Sequence, residues 1–213
     1  MVYLLTSNVW NYQGSVPVWH YLWGKFDRPI YFEVRFTDSG YVYEITGRRG
    51  SRRLKLRFNK HNFCHLLGIE SIAKHSVRFS ELHNYRGEDG WNNIKNGIID
   101  IKHLKQLNKK QFQSVKAKYV YFYLIPTLLE CPLAVNYEKS KVMPPTKIDC
   151  ELLFYSTYEN AVLHLGLEKE TCEDYYIPRT FFVEKLGQSG DEDIYIRHQE
   201  QVIVKKEHRI IMI

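Results

Sequence analysis

Residues 54–69, Leu-Lys-Leu-Arg-Phe-Asn-Lys-His-Asn-Phe-Cys-His-Leu-Leu-Gly-Ile, change period partway through, and that change limits what the chain can fold into. Leu54, Leu56 and Phe58 alternate with Lys55 and Arg57, the two-residue period of a half-buried strand. From Asn59 the spacing becomes helical: Phe63, Leu66, Leu67 and Ile69 gather on one side, with Asn59 placed to cap the first turn. Gly68 suits a helix end or a close backbone approach. A basic strand therefore feeds an apolar helix, expected over residues 60–74, that carries His61 and His65 four apart on one flank. Cations beside an imidazole are the groups with which a phosphate-handling site begins.

The elements around this stretch predict an α+β fold. Residues 30–37 and 41–45 alternate as strands about the Asp38-Ser39-Gly40 turn, and Gly47-Arg48-Arg49-Gly50-Ser51 turns into the strand at Arg53. That is an N-terminal antiparallel β-meander. Central helices follow: a short one over 91–96 ended by Gly97, one over 100–107 capped by Asp100, and a longer one over 111–129 interrupted or ended near Pro126. Residues 133–145, with the Pro144-Pro145 pair, read as a linker or exposed loop. Strands at 148–156, 161–167, 175–184 and 201–213, the last broken near Lys206-Glu207, predict a C-terminal four-stranded antiparallel sheet. Residues 1–29, rich in Trp and Tyr, form an aromatic N-terminal arm. Residues 30–213 then form a single α+β domain, with any internal boundary near 133–147.

Charge says more by its distribution than by its total. A net charge of +6 favours polyanionic partners. Seven basic residues and no acid lie in residues 48–60: Arg48, Arg49, Arg52, Arg53, Lys55, Arg57 and Lys60. These are the candidate nucleic-acid-binding residues. Six lysines without an acid lie in 102–118, and most of them read as a solvated helix face. The acidic clusters fall at 168–174 and 191–193. Four scattered cysteines without a close pair read as reduced thiols of an intracellular protein. No apolar run reaches the ~18–20 residues of a membrane span, and no basic n-region with an apolar core opens the chain. A cytoplasmic location with no membrane partner is the expectation.

His61 and His65 have a spacing that can chelate zinc, but Asn62 stands where a zinc protease carries its general-base Glu, and no third ligand is evident. No metal and no cofactor are expected. In residues 176–184, Pro178 blocks regular pairing, so Arg179 and Thr180 fall at a sheet edge. A guanidinium fits a phosphate bidentately and a hydroxyl can donate to it; Arg179 can equally pair with Glu173 or Asp174. Asp149 suits orienting a histidine or capping a turn, and His198 and Gln199 precede the last strand. No nucleophile elbow, phosphate loop or dinucleotide fingerprint occurs.

Four ordered stretches carry a family resemblance. They are Phe58 with Phe63 and His65-Leu66-Leu67-Gly68-Ile69; Ile94 and Asn96-Gly97 before the lysine-rich helix; Lys147-Ile148-Asp149 with Leu153-Phe154; and Pro178-Arg179-Thr180-Phe181-Phe182-Val183-Glu184. Together they resemble the phage-associated branch of the barnase–EndoU–colicin–RelE-like nucleases over about residues 30–210. The resemblance implies a metal-independent endoribonuclease used as a toxin or phage-conflict effector. In that chemistry the ribose 2′-OH attacks the adjacent phosphate and leaves a 2′,3′-cyclic end. It implies RNA, tRNA included, as substrate and a neutralising antitoxin or immunity protein as partner. His65, Asp149, Arg179, Thr180 and Gln199 are the positions it nominates for catalysis. The alternative is a non-catalytic module that grips nucleic acid or protein with the same basic face.

Overall fold

The computed structural model describes residues 39–158, 161–186 and 194–211. The aromatic arm and the strand expected over 30–37 lie outside them. Seven strands make one sheet: β1 (Ser39–Gly47), β2 (Gly50–Arg57), β3 (Leu133–Asn136), β4 (Leu152–Tyr158), β5 (Ala161–Lys169), β6 (Tyr176–Lys185) and β7 (Glu200–Ile211). The spatial order is β1-β2-β6-β5-β4-β3-β7, and β7 pairs back onto β1, so the sheet closes as a barrel. Every pairing is antiparallel except β2 with β6, which meet at Leu56 and Tyr176.

This corrects the expected meander plus separate four-stranded sheet. Two facts produce the difference. Residues 133–136, read as a linker, form β3 between β4 and β7, because Ala134 and Val135 are buried; four residues are too few to display a period. And β7 does not flank β6: it leaves the C-terminal strands to join β1, from Ser39↔Ile211 to Thr46↔Ile203. The expected break at Lys206-Glu207 is a bulge within β7: Val42 pairs with His208 and Tyr43 with Lys206, so Glu207 is the extra residue of the bulge.

The helices between β2 and β3 are α1 (Lys60–Leu66), α2 (Ile69–Ala73), α3 (Gly87–Lys95), α4 (Ile101–Leu107), α5 (Lys109–Tyr121) and α6 (Ile125–Glu130). A 3₁₀ turn, Phe79–Tyr85, precedes α3. The helix expected over 60–74 is two helices broken at Gly68. That residue has φ 73°, and a Cβ there would sit 3.0 Å from Val115 Cγ1 of α5. Helix end and close approach coincide at one position. Asn59 caps α1 and Asp100 caps α4, each side chain accepting from a first-turn backbone N–H. The helix expected over 111–129 is interrupted by a 3₁₀ turn, Phe122–Leu124, and Pro126 sits in the first turn of α6, where its missing N–H costs nothing.

One apolar cluster joins the inner sheet face, with Tyr43, Leu54, Leu56, Phe154 and Phe181, to helical Phe63, Leu66, Phe122 and Leu129. Tyr43 Oη donates to Leu129 O at 2.8 Å, so the deepest hydroxyl of the barrel is satisfied by the end of α6. A second cluster covers the opposite face of β3 to β5, with Val135, Leu153, Tyr155 and Val162 under Tyr137, Val142 and Ile196. Burial on both faces explains why β5 is apolar almost throughout rather than alternating.

Candidate active site

Three edge-to-face aromatic contacts dock α1 onto β6. Phe181 meets Phe122 at 5.4 Å, Phe122 meets Phe63 at 5.7 Å, and Phe63 meets Trp91 of α3 at 4.8 Å. Asn62 Nδ2 donates to Pro178 O at 3.3 Å, tying the first turn of α1 to the residue before Arg179. The ladder explains what Arg179 does next. Leu167 pairs with Pro178 and Gly166 with Thr180, so Arg179 is the extra residue of a β-bulge, a device that re-aims a side chain. The sheet edge expected at Pro178 is not there: Pro178 keeps its partner Leu167 in β5, β6 lies inside the closed barrel, and α1 packs against it.

His65 stands two residues beyond Phe63, at the corner so formed. Its imidazole is solvent-accessible, yet its pKa is lowered from the usual 6.5: first by desolvation, then by the nearby cations Lys118 and Arg179, with Glu70 opposing. Lys118, near the end of α5, is half-buried, and desolvation brings its pKa down to about 8. Arg179 is exposed, and its Nε lies 3.2 Å from Glu168 Oε2 in an ion pair at the surface. The corner thus holds a neutral imidazole at neutral pH, a guanidinium fork and an ammonium that gives up its proton more readily than an ordinary lysine.

Lys118 was not among the residues that sequence patterning singled out, since it belongs to a run read as a solvated face. The missed signal is positional: three residues after half-buried Val115 and four before buried Phe122, it lies where α5 turns toward the core.

The other nominated residues sit elsewhere. Thr180 points to the opposite face of β6 from Phe181: a Cβ on its partner Gly166 would meet Thr180 Cγ2 at 2.6 Å and Cys150 Sγ at 3.0 Å. Asp149 is exposed beside Cys150, with Lys139 Nζ at 3.8 Å. Gln199 is buried and clamps backbone: Oε1 accepts from Glu138 N at 2.8 Å and Nε2 donates to Glu138 O at 3.1 Å. His61 turns from His65, with Nδ1 2.9 Å from Asn59 Oδ1 and Nε2 facing Glu88. His164, which the sequence reading did not single out, is fully buried on the Thr180 face, stacked on Phe182 at 4.4 Å and bonded to Glu184 at 3.2 Å. Among the described residues no three His, Cys, Asp or Glu side chains gather as metal ligands would.

The basic strand is less cationic in space than in sequence. Arg53 pairs with Glu207 at 2.6 Å, Lys55 with Asp174 at 3.3 Å and Arg57 with Glu173 at 3.9 Å, and Arg57 also covers the Tyr175 ring and donates to its hydroxyl. Arg52 reaches Asn136 Oδ1 at 3.4 Å, and Arg48 donates its backbone N–H to Glu200. Arg49 is exposed at the hairpin tip, and Lys60 opens α1. The acidic cluster at 168–174, remote along the chain, folds back onto β2 through Glu173 and Asp174.

Among the described residues no helix is long and apolar enough to cross a membrane. The family model PBECR4, phage-Barnase-EndoU-ColicinE5/D-RelE like nuclease4, matches residues 31–210. No curated protein and no solved structure gives a match.

Proposed function

This chain belongs to that phage-associated nuclease family, and from that membership we propose that it is an endoribonuclease-like toxin or phage-conflict effector that cleaves RNA, tRNA included, without a metal. What supports the proposal is that Lys118 and Arg179 both act electrostatically on the accessible His65 imidazole.

In the proposed reaction the His65 imidazole, neutral at pH 7, takes the proton from a ribose 2′-OH. The 2′-oxygen bonds to phosphorus as the bond from phosphorus to the 5′-oxygen breaks. The Arg179 fork holds the non-bridging oxygens and offsets the charge that builds on them. Lys118 protonates the departing 5′-oxygen. The products are a 2′,3′-cyclic phosphate and a 5′-hydroxyl. Asp149, Thr180 and Gln199 take no part in this scheme. The first is occupied with Lys139, the second packs over Gly166, and the third holds the backbone of Glu138.

Incubation of structured RNA with the purified chain in EDTA tests the proposal, with product ends identified by mass. Cyclic-phosphate ends are expected, and His65→Ala should slow cleavage by about 10²–10⁴-fold. Full activity in that variant, or strict dependence on an added divalent metal, would contradict it. RNA bound but never cut would favour the binding-module alternative.

A further inference from the structure

Three strongly charged surfaces surround the His65 corner, and only one of them is left for a polyanion. Three of the four cations of strand β2 are answered by carboxylates, Arg53 by Glu207, Lys55 by Asp174 and Arg57 by Glu173, while Arg52 reaches the Asn136 amide. The turn between β5 and β6 is itself acidic, and its Asp174 also holds Lys169 at 3.4 Å. RNA approaching from that side would have to displace these carboxylates from the same cations. The third surface is the helical one. Residues 101–129 contain no acidic residue, while Lys102, Lys105, Lys109, Lys110 and Lys116 are exposed and, among the described residues, form no salt bridge.

The spacing on α5 gives this surface a direction. Lys110, Ser114 and Lys118 recur every four residues, so they follow one flank of the helix over about 12 Å. Lys118 closes the row at His65. A half-buried ammonium with no carboxylate partner among the described residues carries a desolvation cost that an incoming phosphate would offset. Lys109 and Lys116, seven apart, line the neighbouring flank, and Lys102 and Lys105 extend the surface across the α4–α5 junction.

We infer that the phosphodiester backbone of the RNA runs along the lysine face of α4 and α5 and enters the corner by way of Lys110, Ser114 and Lys118, not across strand β2. This rests on the proposed RNA substrate and adds the path it takes.

The test measures the dissociation constant of a fluorescent structured RNA over a range of salt concentrations, using the full chain in a His65→Ala background to prevent turnover. Two triple variants change the charge equally: Lys109→Glu/Lys110→Glu/Lys116→Glu and Arg53→Glu/Lys55→Glu/Arg57→Glu. The helical triple should weaken binding by about 100-fold at low salt and lower the salt slope by about 2, while the β2 triple changes affinity by less than about 5-fold. The corresponding Lys→Gln and Arg→Gln triples, which add no like-charge repulsion within the fold, should rank the same way. Equal losses, or a larger loss from the β2 variants, would overturn the path while leaving the RNA function standing. A parent chain that binds no RNA would overturn both.

Discussion

Gly166→Ala is the substitution that most sharply links packing to the placement of Arg179. A Cβ at Gly166 would lie 2.6 Å from Thr180 Cγ2, 3.0 Å from Cys150 Sγ and 3.1 Å from Cys150 Cβ. The first contact is shorter than any real Cβ approach, and the other two lie against a buried cysteine. The methyl enters a filled space between two strands, and overpacking of this kind costs about 1–3 kcal/mol. For a chain of this size about 2 kcal/mol lowers Tm by about 4–8 °C. Because Thr180 follows the bulged Arg179, the strand can yield only by moving the bulge, so RNA cleavage per folded molecule should fall as well. Thr180→Ser removes the nearest obstructing atom. Gly166→Ala/Thr180→Ser should therefore be more stable than the sum of its singles by about 1 kcal/mol, a coupling expected only of residues in contact. Urea and thermal unfolding of the four proteins in the cycle measure it. A Gly166→Ala protein that melts within about 1 °C of the parent, or singles that simply add, would refute the reasoning.

The pH profile of cleavage should be a bell. The rate rises as His65 loses its proton, with a midpoint below 6.5, and falls as Lys118 loses its own near 8. In Lys118→Met the alkaline limb should vanish, and the acid limb should move up because one of the two cations opposing imidazolium is gone; limbs that stay in place would remove Lys118 from the reaction. Gln199→Ala should destabilise the fold by about 2 kcal/mol, since the Glu138 N–H and C=O both lose a partner, yet leave cleavage per folded molecule unchanged. Lost activity in a folded Gln199→Ala would return that residue to the site. Gly68→Ala should cost more than Gly97→Ala. Both carry the penalty of a positive φ, about 1–2 kcal/mol, but only Gly68 has Val115 at 3.0 Å, and equal melting temperatures would deny that contact any weight.

Local elements were legible in the sequence wherever one period or one capping residue decides them. The strand from Leu54, the cap at Asn59 and the cap at Asp100 all follow from chemistry within a few residues of each other, whereas the helix expected over 60–74 ran through Gly68, where the structure breaks it in two. What escaped depends on partners far along the chain. Residues 133–136 become a strand because β4 and β7 hold both their edges, and no four-residue window can show that. The excursion of β7 to β1 closes the barrel through pairs more than 150 residues apart, a choice that alternation alone does not encode. The site divides in the same way. His65 and Arg179 stood out by type and position, and Arg179 acts electrostatically on the His65 imidazole. Thr180, next to Arg179 in sequence, packs over Gly166 instead, because the bulge at Arg179 interrupts the regular alternation of β6. Lys118 was hidden among lysines, and formal charges counted along β2 omit the carboxylates that pair with Arg53, Lys55 and Arg57.

The meeting of His65 with Lys118 and Arg179 is tested most directly by following the His65 ring proton by NMR across pH. The comparison is the parent chain against Lys118→Met and Arg179→Gln. The parent imidazole should titrate below 6.5, and each substitution should raise that value by removing a neighbouring positive charge. A parent His65 that titrates at or above 6.5 and does not respond to either substitution would place these three side chains apart and contradict the site.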